Sequence, residues 1–425
     1  MQTTLAPEFQ GTPDAVEAEA ILRKCVHCGF CNATCPTYQL LGNELDGPRG
    51  RIYLIKQVLE GHKPTAATQL HLDRCLTCRN CETTCPSGVQ YGKLIDIGRR
   101  AVEARVERPL AERSMRTALR EGLTSPLFAP AMKLGQWVRP LLPGALKHKV
   151  PSRPQAAQRE RAKLWPSRKH DRKVLMLMGC VQPSMMPNVN SATARVLDAV
   201  GVQTVVADGA GCCGAIREHL ADHDGALDDM RRNVDAWFPL IDRGGVEAIV
   251  MNASGCGVTV KDYGHALAHD KAYAERAKRV SDATRDLSEV LPALLPALQQ
   301  QLELRRGGKP DPKQPKTAVA FHPPCTLQHG QQLRGGAEQV LRALGFEVHL
   351  SPVESHLCCG SAGTYSVLQP ELATALRDRK IKNLAPLKPQ VIASANVGCI
   401  QHLQGGTPTR VAHWIELVDE MLVAG

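Results

Sequence analysis

Two copies of one pattern, Cys-x-x-Cys-x-x-Cys-x-x-x-Cys-Pro, constrain this chain more than any other feature. The first is Cys25, Cys28, Cys31, Cys35 and Pro36; the second is Cys75, Cys78, Cys81, Cys85 and Pro86. Three thiolates at this short step wrap one corner of an iron–sulfur cube, because a tight turn aims each sulfur at a different iron. The fourth cysteine, followed by proline, lies too far along and ligates the other cluster. The spacing therefore predicts two [4Fe–4S] clusters, one held by Cys25, Cys28, Cys31 and Cys85, the other by Cys75, Cys78, Cys81 and Cys35. Zinc sites pair two Cys-x-x-Cys hairpins and need neither the third cysteine nor the Cys-Pro ending. Clusters this close in sequence point to electron transfer.

The segments between and after the blocks read as helices. Ile52, Ile55, Val58 and Leu59 recur at helical spacing, as do Leu94, Ile97, Val102 and Val106. Such helices would shield the clusters from water. His27 lies inside the first block, but the thiolates already satisfy the irons, so it reads as a neighbour or a surface residue.

Beyond residue 172 the chain repeats itself with a period of about 145 residues. VLMLMG leads to Cys180 as AVAFHPP leads to Cys325. VLDAVG matches VLRALG, and each copy then reaches Cys-Cys-Gly, at Cys212-Cys213-Gly214 and Cys358-Cys359-Gly360. The strands AIVMNASGC and QVIASANVGC deliver Cys256 and Cys399. Strand and helix alternate, so each copy is expected to be an α/β unit with a small parallel sheet. Ligands of such sheets gather at the carboxyl ends of the strands, where all four cysteines of each copy fall. Gly209-x-Gly211-x-x-Gly214 imitates a dinucleotide fingerprint. Its variable positions hold Cys212 and Cys213, and the second copy has no such glycines, so a nucleotide site is rejected.

The fold class expected is mixed α/β: an N-terminal helical twin-cluster module, then two repeated cysteine-rich units. The expected division is 1–105 for the module, 106–172 for a helical and basic linker, and 173–300 and 316–425 for the repeats. The formal charge of +10 is concentrated between Lys147 and Lys173, where ten basic residues face only Glu160 and Asp171. Pro151, Pro154 and Pro166 mark this run as a solvated connector first and a contact for anionic lipid second. Nucleic-acid binding is not expected, because no interleaved aromatics accompany the charge. The stretch from Leu123 to Leu146 is apolar but cut by Pro126, Pro130, Pro140 and Pro143, so it is not expected to cross a membrane. The start of the chain lacks the basic head and apolar core of a signal peptide. Sixteen cysteines kept for metal suit a reducing compartment, so the cytoplasm is the expected location.

The Cys…Cys-Cys-Gly…Cys repeat resembles the cysteine-rich CCG domain of heterodisulfide reductases and related redox subunits. A twin-cluster ferredoxin module followed by two such domains resembles the iron–sulfur subunits of bacterial glycolate oxidases, over nearly the whole chain. The run CVHCGFCNATCPTYQLLGNELDGPRGRIYLIKQVLEG carries the likeness most strongly. Subunits of anaerobic glycerol-3-phosphate dehydrogenase and of lactate oxidation are the near competitors. The resemblance implies flavin-containing partner subunits that oxidise glycolate to glyoxylate, and a chain that carries the electrons on to a quinone. It makes Cys180, Cys212, Cys213 and Cys256, and Cys325, Cys358, Cys359 and Cys399, candidates for metal or redox duty, with one further iron–sulfur cluster per repeat as the reading for them. Complete CCG domains end in Cys-x-x-Cys; here Ala253 and Asn396 stand at the first of those positions. The loss argues against a non-cubane cluster and against a self-contained disulfide reductase. Of His322, His329, His356 and His402, all read first as structural, His356 is the one placed to carry protons for a quinone.

Overall fold

The computed structural model describes residues 1–141, 150, 152–154, 156–306 and 316–423. The N-terminal module is wholly helical. Helix Pro13–Lys24 starts where Thr12 Oγ1 accepts the Ala15 amide at 3.3 Å and proline takes the first turn. Helices Pro48–Leu59 and Tyr91–Glu103 then pack on it through Ile52, Ile55, Leu59, Leu94, Ile95 and Val102. Both predicted helical stripes thus face one core, and five of the cysteines, Cys25, Cys31, Cys75, Cys81 and Cys85, are packed in or against it.

Each repeat contains four parallel strands. In the first, β1 (Arg172–Met176), β2 (Val202–Val205), β3 (Ile249–Met251) and β4 (Thr284–Asp286) lie in the order β2-β1-β3-β4. In the second, β5 (Ala318–His322), β6 (Glu347–Leu350), β7 (Val391–Ser394) and β8 (Arg410–His413) lie in the order β6-β5-β7-β8. The central strands β3 and β7 are buried along their whole length, as parallel strands covered on both faces must be. Only the last strand of each repeat, β4 and β8, one edge of each sheet, went unread in the sequence. They are three or four residues long and carry Arg285 and Arg410, so no apolar run announces them. The connection turns one way from β1 to β2 and the other way to β3, which opens a crevice at the carboxyl ends of the strands.

The repeats are not independent beads. Helix Asn188–Ala199 of the first packs on helix Trp414–Val423 of the second, while Leu287–Arg306 of the first packs on Gly336–Ala343 of the second. These pairs exchange under a pseudo-twofold, and one apolar cluster containing Leu197, Leu298, Phe321 and Trp414 runs through both. At the strand ends Ser254 N donates to Ala395 O (3.1 Å), Gly255 N donates to Asn396 Oδ1 (3.3 Å), and His413 Nε2 hydrogen-bonds Asn252 O (2.7 Å). The two crevices therefore meet.

The basic run is only partly a connector. Lys147, Lys149 and Pro151 lie outside the described residues, as do Pro143 and the end of the apolar stretch that precedes them. Helix Ala156–Lys163 is tied down: Arg161 pairs with the buried Asp419 at 2.5 Å, and Arg195 donates to Arg161 O and Leu164 O, each at 2.7 Å. Arg172 and Lys173 belong to β1. Packing against the repeats explains the order, since Ser191 also donates to Ala162 O at 2.7 Å. Upstream, helix Phe128–Val138 leaves Leu134 and Trp137 exposed, with Leu127 and Leu141 beside it. Among the described residues no helix is long and apolar enough to cross a membrane.

Candidate metal centres

In both cysteine blocks the same two positions take left-handed backbone conformations. They are His27 (φ 59°) and Gly29 (φ 88°) in the first, and Thr77 (φ 52°) and Arg79 (φ 57°) in the second. Each follows a cysteine by one or two residues, so the chain reverses around the sulfurs rather than running past them. Three non-glycine residues held there carry strain that the surrounding packing must offset. The short helices Phe30–Ala33 and Asn80–Thr84 then carry the third cysteine of each block, and proline opens the helix after Cys35.

The fourth cysteine of each block crosses over. Cys35, from the first block, lines one small cavity together with Cys75, Cys78 and Cys81 from the second. Conversely, the Cys31 thiol is pushed up to about 11 by burial and by the charges of Cys25, Cys85 and Cys28 around it. Eight cysteines thus stand as two sets of four, and neither set is drawn from one block. Four thiolates converging on a buried space fit a [4Fe–4S] cluster.

The second set is furnished for negative charge. Arg51, fully buried, lines the same cavity; it donates from Nε to His71 O at 2.7 Å and from Nη2 to Thr37 Oγ1 at 3.2 Å. Asp46 balances it, accepting from Arg74 Nη1 at 3.0 Å and sharing a 2.9 Å hydrogen bond with His71 Nδ1. Tyr91 Oη and the Thr77 amide donate to Cys75 Sγ at 3.7 and 3.4 Å. Donors to sulfur and a buried cation both favour the reduced, more negative cluster. None of these residues was singled out for this role from the sequence. The run Pro48-Arg49-Gly50-Arg51 was the one visible signal.

In the repeats, each Cys-Cys-Gly turn depends on its glycine. Gly214 (φ 93°) and Gly360 (φ 90°) are left-handed, and a Cβ on Gly360 would sit 2.5 Å from the carbonyl oxygen of Ala373 in the helix behind. In the first repeat Cys180 Sγ and Cys212 Sγ lie 3.6 Å apart. Hydrogen bonds from Cys180 and Cys213, helped by the backbone amides of Gly214 and Ile216, lower the pKa of the Cys212 thiol. Cys213 stands against both Cys212 and Cys256. Asn233 pins the turn, donating to Cys212 O at 2.7 Å and accepting the Gly211 amide at 2.8 Å, while Tyr263 Oη donates to Cys213 O at 2.9 Å. The loop that imitated a nucleotide fingerprint is thus spent on its own protein.

In the second repeat Cys325 Sγ and Cys358 Sγ lie 3.8 Å apart, and Cys359 stands against Cys358 and Cys399. Asn396, where a fifth cysteine would stand, donates to Cys399 Sγ at 3.6 Å. Lys380, buried, feels the charges of Cys359 and Cys358 and donates to Glu354 O at 2.6 Å. Cys78 of the module reaches this group, close enough to interact with Cys325 and Cys358. One large cavity, about 2350 Å³, lies between the module and both repeats, and Leu76, Cys180, Cys212, Cys256, Cys325 and Cys399 all line it.

The histidines divide by their contacts. His329 joins the module to the second repeat, through Thr83 Oγ1 and His356 O at 2.9 Å each, and His402 Nε2 bonds Ala373 O at 3.0 Å. His27 Nδ1 faces Met1 Sδ at 2.9 Å. His356 is half-buried, and burial lowers its pKa. His322 is buried beside Cys359 and Cys399, and burial holds its imidazole neutral.

Comparison with known proteins agrees with this anatomy. Residues 21–89 match the 4Fe-4S dicluster domain family, and residues 174–261 and 319–404 each match the cysteine-rich CCG domain family. The chain is 52% identical over 99% of its length to the glycolate oxidase iron-sulfur subunit of Escherichia coli (strain K12), covering 99% of that protein. It is 29% identical over 91% of its length to a probable glycolate oxidase iron-sulfur subunit of Bacillus subtilis (strain 168), covering 89% of it. Lactate utilization protein A of Geobacillus thermodenitrificans (strain NG80-2) is 26% identical over 58% of the chain, covering 98% of that protein. With twin crossed cysteine blocks, two fused Cys-Cys-Gly repeats and full-length identity of this order, the chain belongs to the family of glycolate oxidase iron–sulfur subunits.

Proposed function

We propose that this chain is the electron-carrying subunit of a glycolate-oxidising complex, taking electrons from flavin-containing partner subunits and delivering them towards a quinone. The observation that carries the reading is the crossing of the cysteine blocks into two sets of four, one of them against the thiols of the second repeat. Cys25, Cys28, Cys31 and Cys85 hold one [4Fe–4S] cluster; Cys35, Cys75, Cys78 and Cys81 hold the other. When bound, the clusters supply reversible one-electron storage, which no side chain here offers. Arg51 and Lys380 offset negative charge at the thiolates, and Thr77, Tyr91 and Asn396 donate to sulfur. Cys180, Cys212, Cys213 and Cys256, and their counterparts Cys325, Cys358, Cys359 and Cys399, serve a further cluster in each repeat. The working units are 1–105, 173–300 and 316–425, joined by 106–172. Hydride removal from glycolate belongs to a flavin cofactor in the partner.

The complex is placed in the cytoplasm, at the inner face of the membrane. Exposed Leu127, Leu134, Trp137 and Leu141, next to basic residues, support peripheral contact there. The purified complex tests the relay. Cys28→Ser and Cys78→Ser are each expected to bleach one cluster and to cut quinone reduction at least tenfold, while flavin reduction by glycolate in the partner continues. Unchanged quinone turnover in both variants would refute the relay.

A further inference from the structure

Near the second repeat's cysteines stands a side chain that the established pattern does not use. His322 is the last residue of β5, only 1% exposed, and neither Nδ1 nor Nε2 has a hydrogen-bond partner among the described residues. An imidazole buried with both nitrogens unsatisfied is destabilising unless something else engages it. One ring nitrogen of His322 and the sulfurs of Cys359 and Cys399 all lie within 4.8 Å of one another. Ser394 Oγ donates to His322 O at 2.8 Å, which fixes the strand end that presents the ring.

We propose that His322 is a nitrogen ligand of the metal centre of the second repeat, joining Cys359 and Cys399 in a mixed imidazole–thiolate site. Metal–sulfur and metal–nitrogen bonds of about 2.3 and 2.0–2.1 Å put tetrahedral donor atoms roughly 3.5–3.8 Å apart. The observed triad, with its three donor atoms within 4.8 Å of one another, needs at most a small contraction to reach that size, and Cys325 and Cys358, 3.8 Å apart, stand beside it as further donors. The first repeat cannot do the same: three residues before its leading cysteine stands Leu177, buried and apolar. The two repeats are therefore inequivalent. If the imidazole takes the place of one of the four thiolates at an iron, an anionic ligand gives way to a neutral one, which favours the reduced state, as histidine-for-cysteine exchange does at other iron–sulfur centres. The second repeat, which the module's Cys78 approaches, then carries the more oxidising centre.

This inference deepens the relay reading but is tested without turnover. The full chain, purified anaerobically with ¹⁵N-histidine, is compared with His322→Leu and His322→Cys by metal and sulfide quantification, pulsed electron paramagnetic resonance and X-ray absorption at the iron and zinc edges. His402→Gln is the control. Expected are a histidine-nitrogen signal in the wild type and control, its loss in both His322 variants, and a drop in bound metal in His322→Leu that His322→Cys restores. The module's own cluster signals should persist in every variant, which reports an intact fold. Should the wild type show no histidine nitrogen at any metal, or should His322→Leu keep it with full metal content, the proposal is overturned. Neither result would touch the Cys28 and Cys78 experiment.

Discussion

At the scale of the residue, the buried titratable groups set a window of pH for this fold. Burial holds His219 and His413 down to about 4, against 6.5 for a free histidine. Between those values the unfolded chain takes up protons that the folded chain refuses, so stability is lost as pH falls from 6.5 towards 4. Each group contributes up to about 1.4 kcal/mol per pH unit across that window. Asp96 works in the opposite sense. Burial, reinforced by Glu218, lifts it to about 7 from 3.8, so its folded carboxyl stays protonated while the unfolded one ionises. Its stabilising share is full below 3.8 and is lost as pH rises to 7. Urea midpoints measured from pH 4 to 8 should fall on the acid side, and His413→Gln should flatten that limb while Asp96→Asn flattens the other. An acid limb of unchanged slope in His413→Gln would remove His413 from this account.

At the scale of the element, the helices that join the repeats matter more than the strands that define them. Leu287–Arg306 carries Leu291 and Leu298, both fully buried, into a core that also contains Phe321 and Val340 of the other repeat. Its prolines, Pro292 and Pro296, remove two backbone donors, so packing rather than propensity holds the helix. Leu298→Ala should cost about 2–5 kcal/mol, the usual range for a buried leucine truncated in a rigid core. Because the core is shared, both repeats should loosen together. Calorimetry and hydrogen exchange on β1 and β5 would check this, and protection lost in the first repeat alone would contradict a common core.

At the scale of the whole molecule, the module is docked over the strand ends by polar contacts from both repeats. Arg100 pairs with Asp14 at 2.8 Å and Glu218 at 3.0 Å, Tyr365 Oη donates to Arg74 O at 3.2 Å, and Thr83 meets His329 at 2.9 Å. Arg100→Ala removes the guanidinium bridging Asp14 and Glu218, and should cost about 1–3 kcal/mol of docking. Faster hydrogen exchange in residues 91–103 and 215–219, with cluster content unchanged, is the expected signature. Unaltered exchange there would mean the other contacts suffice.

Much of this was legible in the sequence. Cysteine spacing is local, and its consequence, a turn that aims sulfurs inward, is enforced within a few residues by the left-handed positions at 27, 29, 77 and 79. The repeat, the parallel sheets and the placement of Cys180 to Cys399 at strand ends followed from apolar runs and their order. Other features depended on residues far apart meeting. Arg51 beside Cys75, Asn233 on the Cys212 carbonyl, Lys380 behind Cys359 and the His322 ring, unpartnered among the described residues, have no local signature, because charge balance and satisfaction of buried groups are properties of a closed core. The amino-acid order thus determined which metals this protein is built for and how many units share the work. Tertiary structure alone decided how those units face one another and which polar side chains the sulfurs see, since burial is what gives a charge or an unpaired nitrogen its energetic weight.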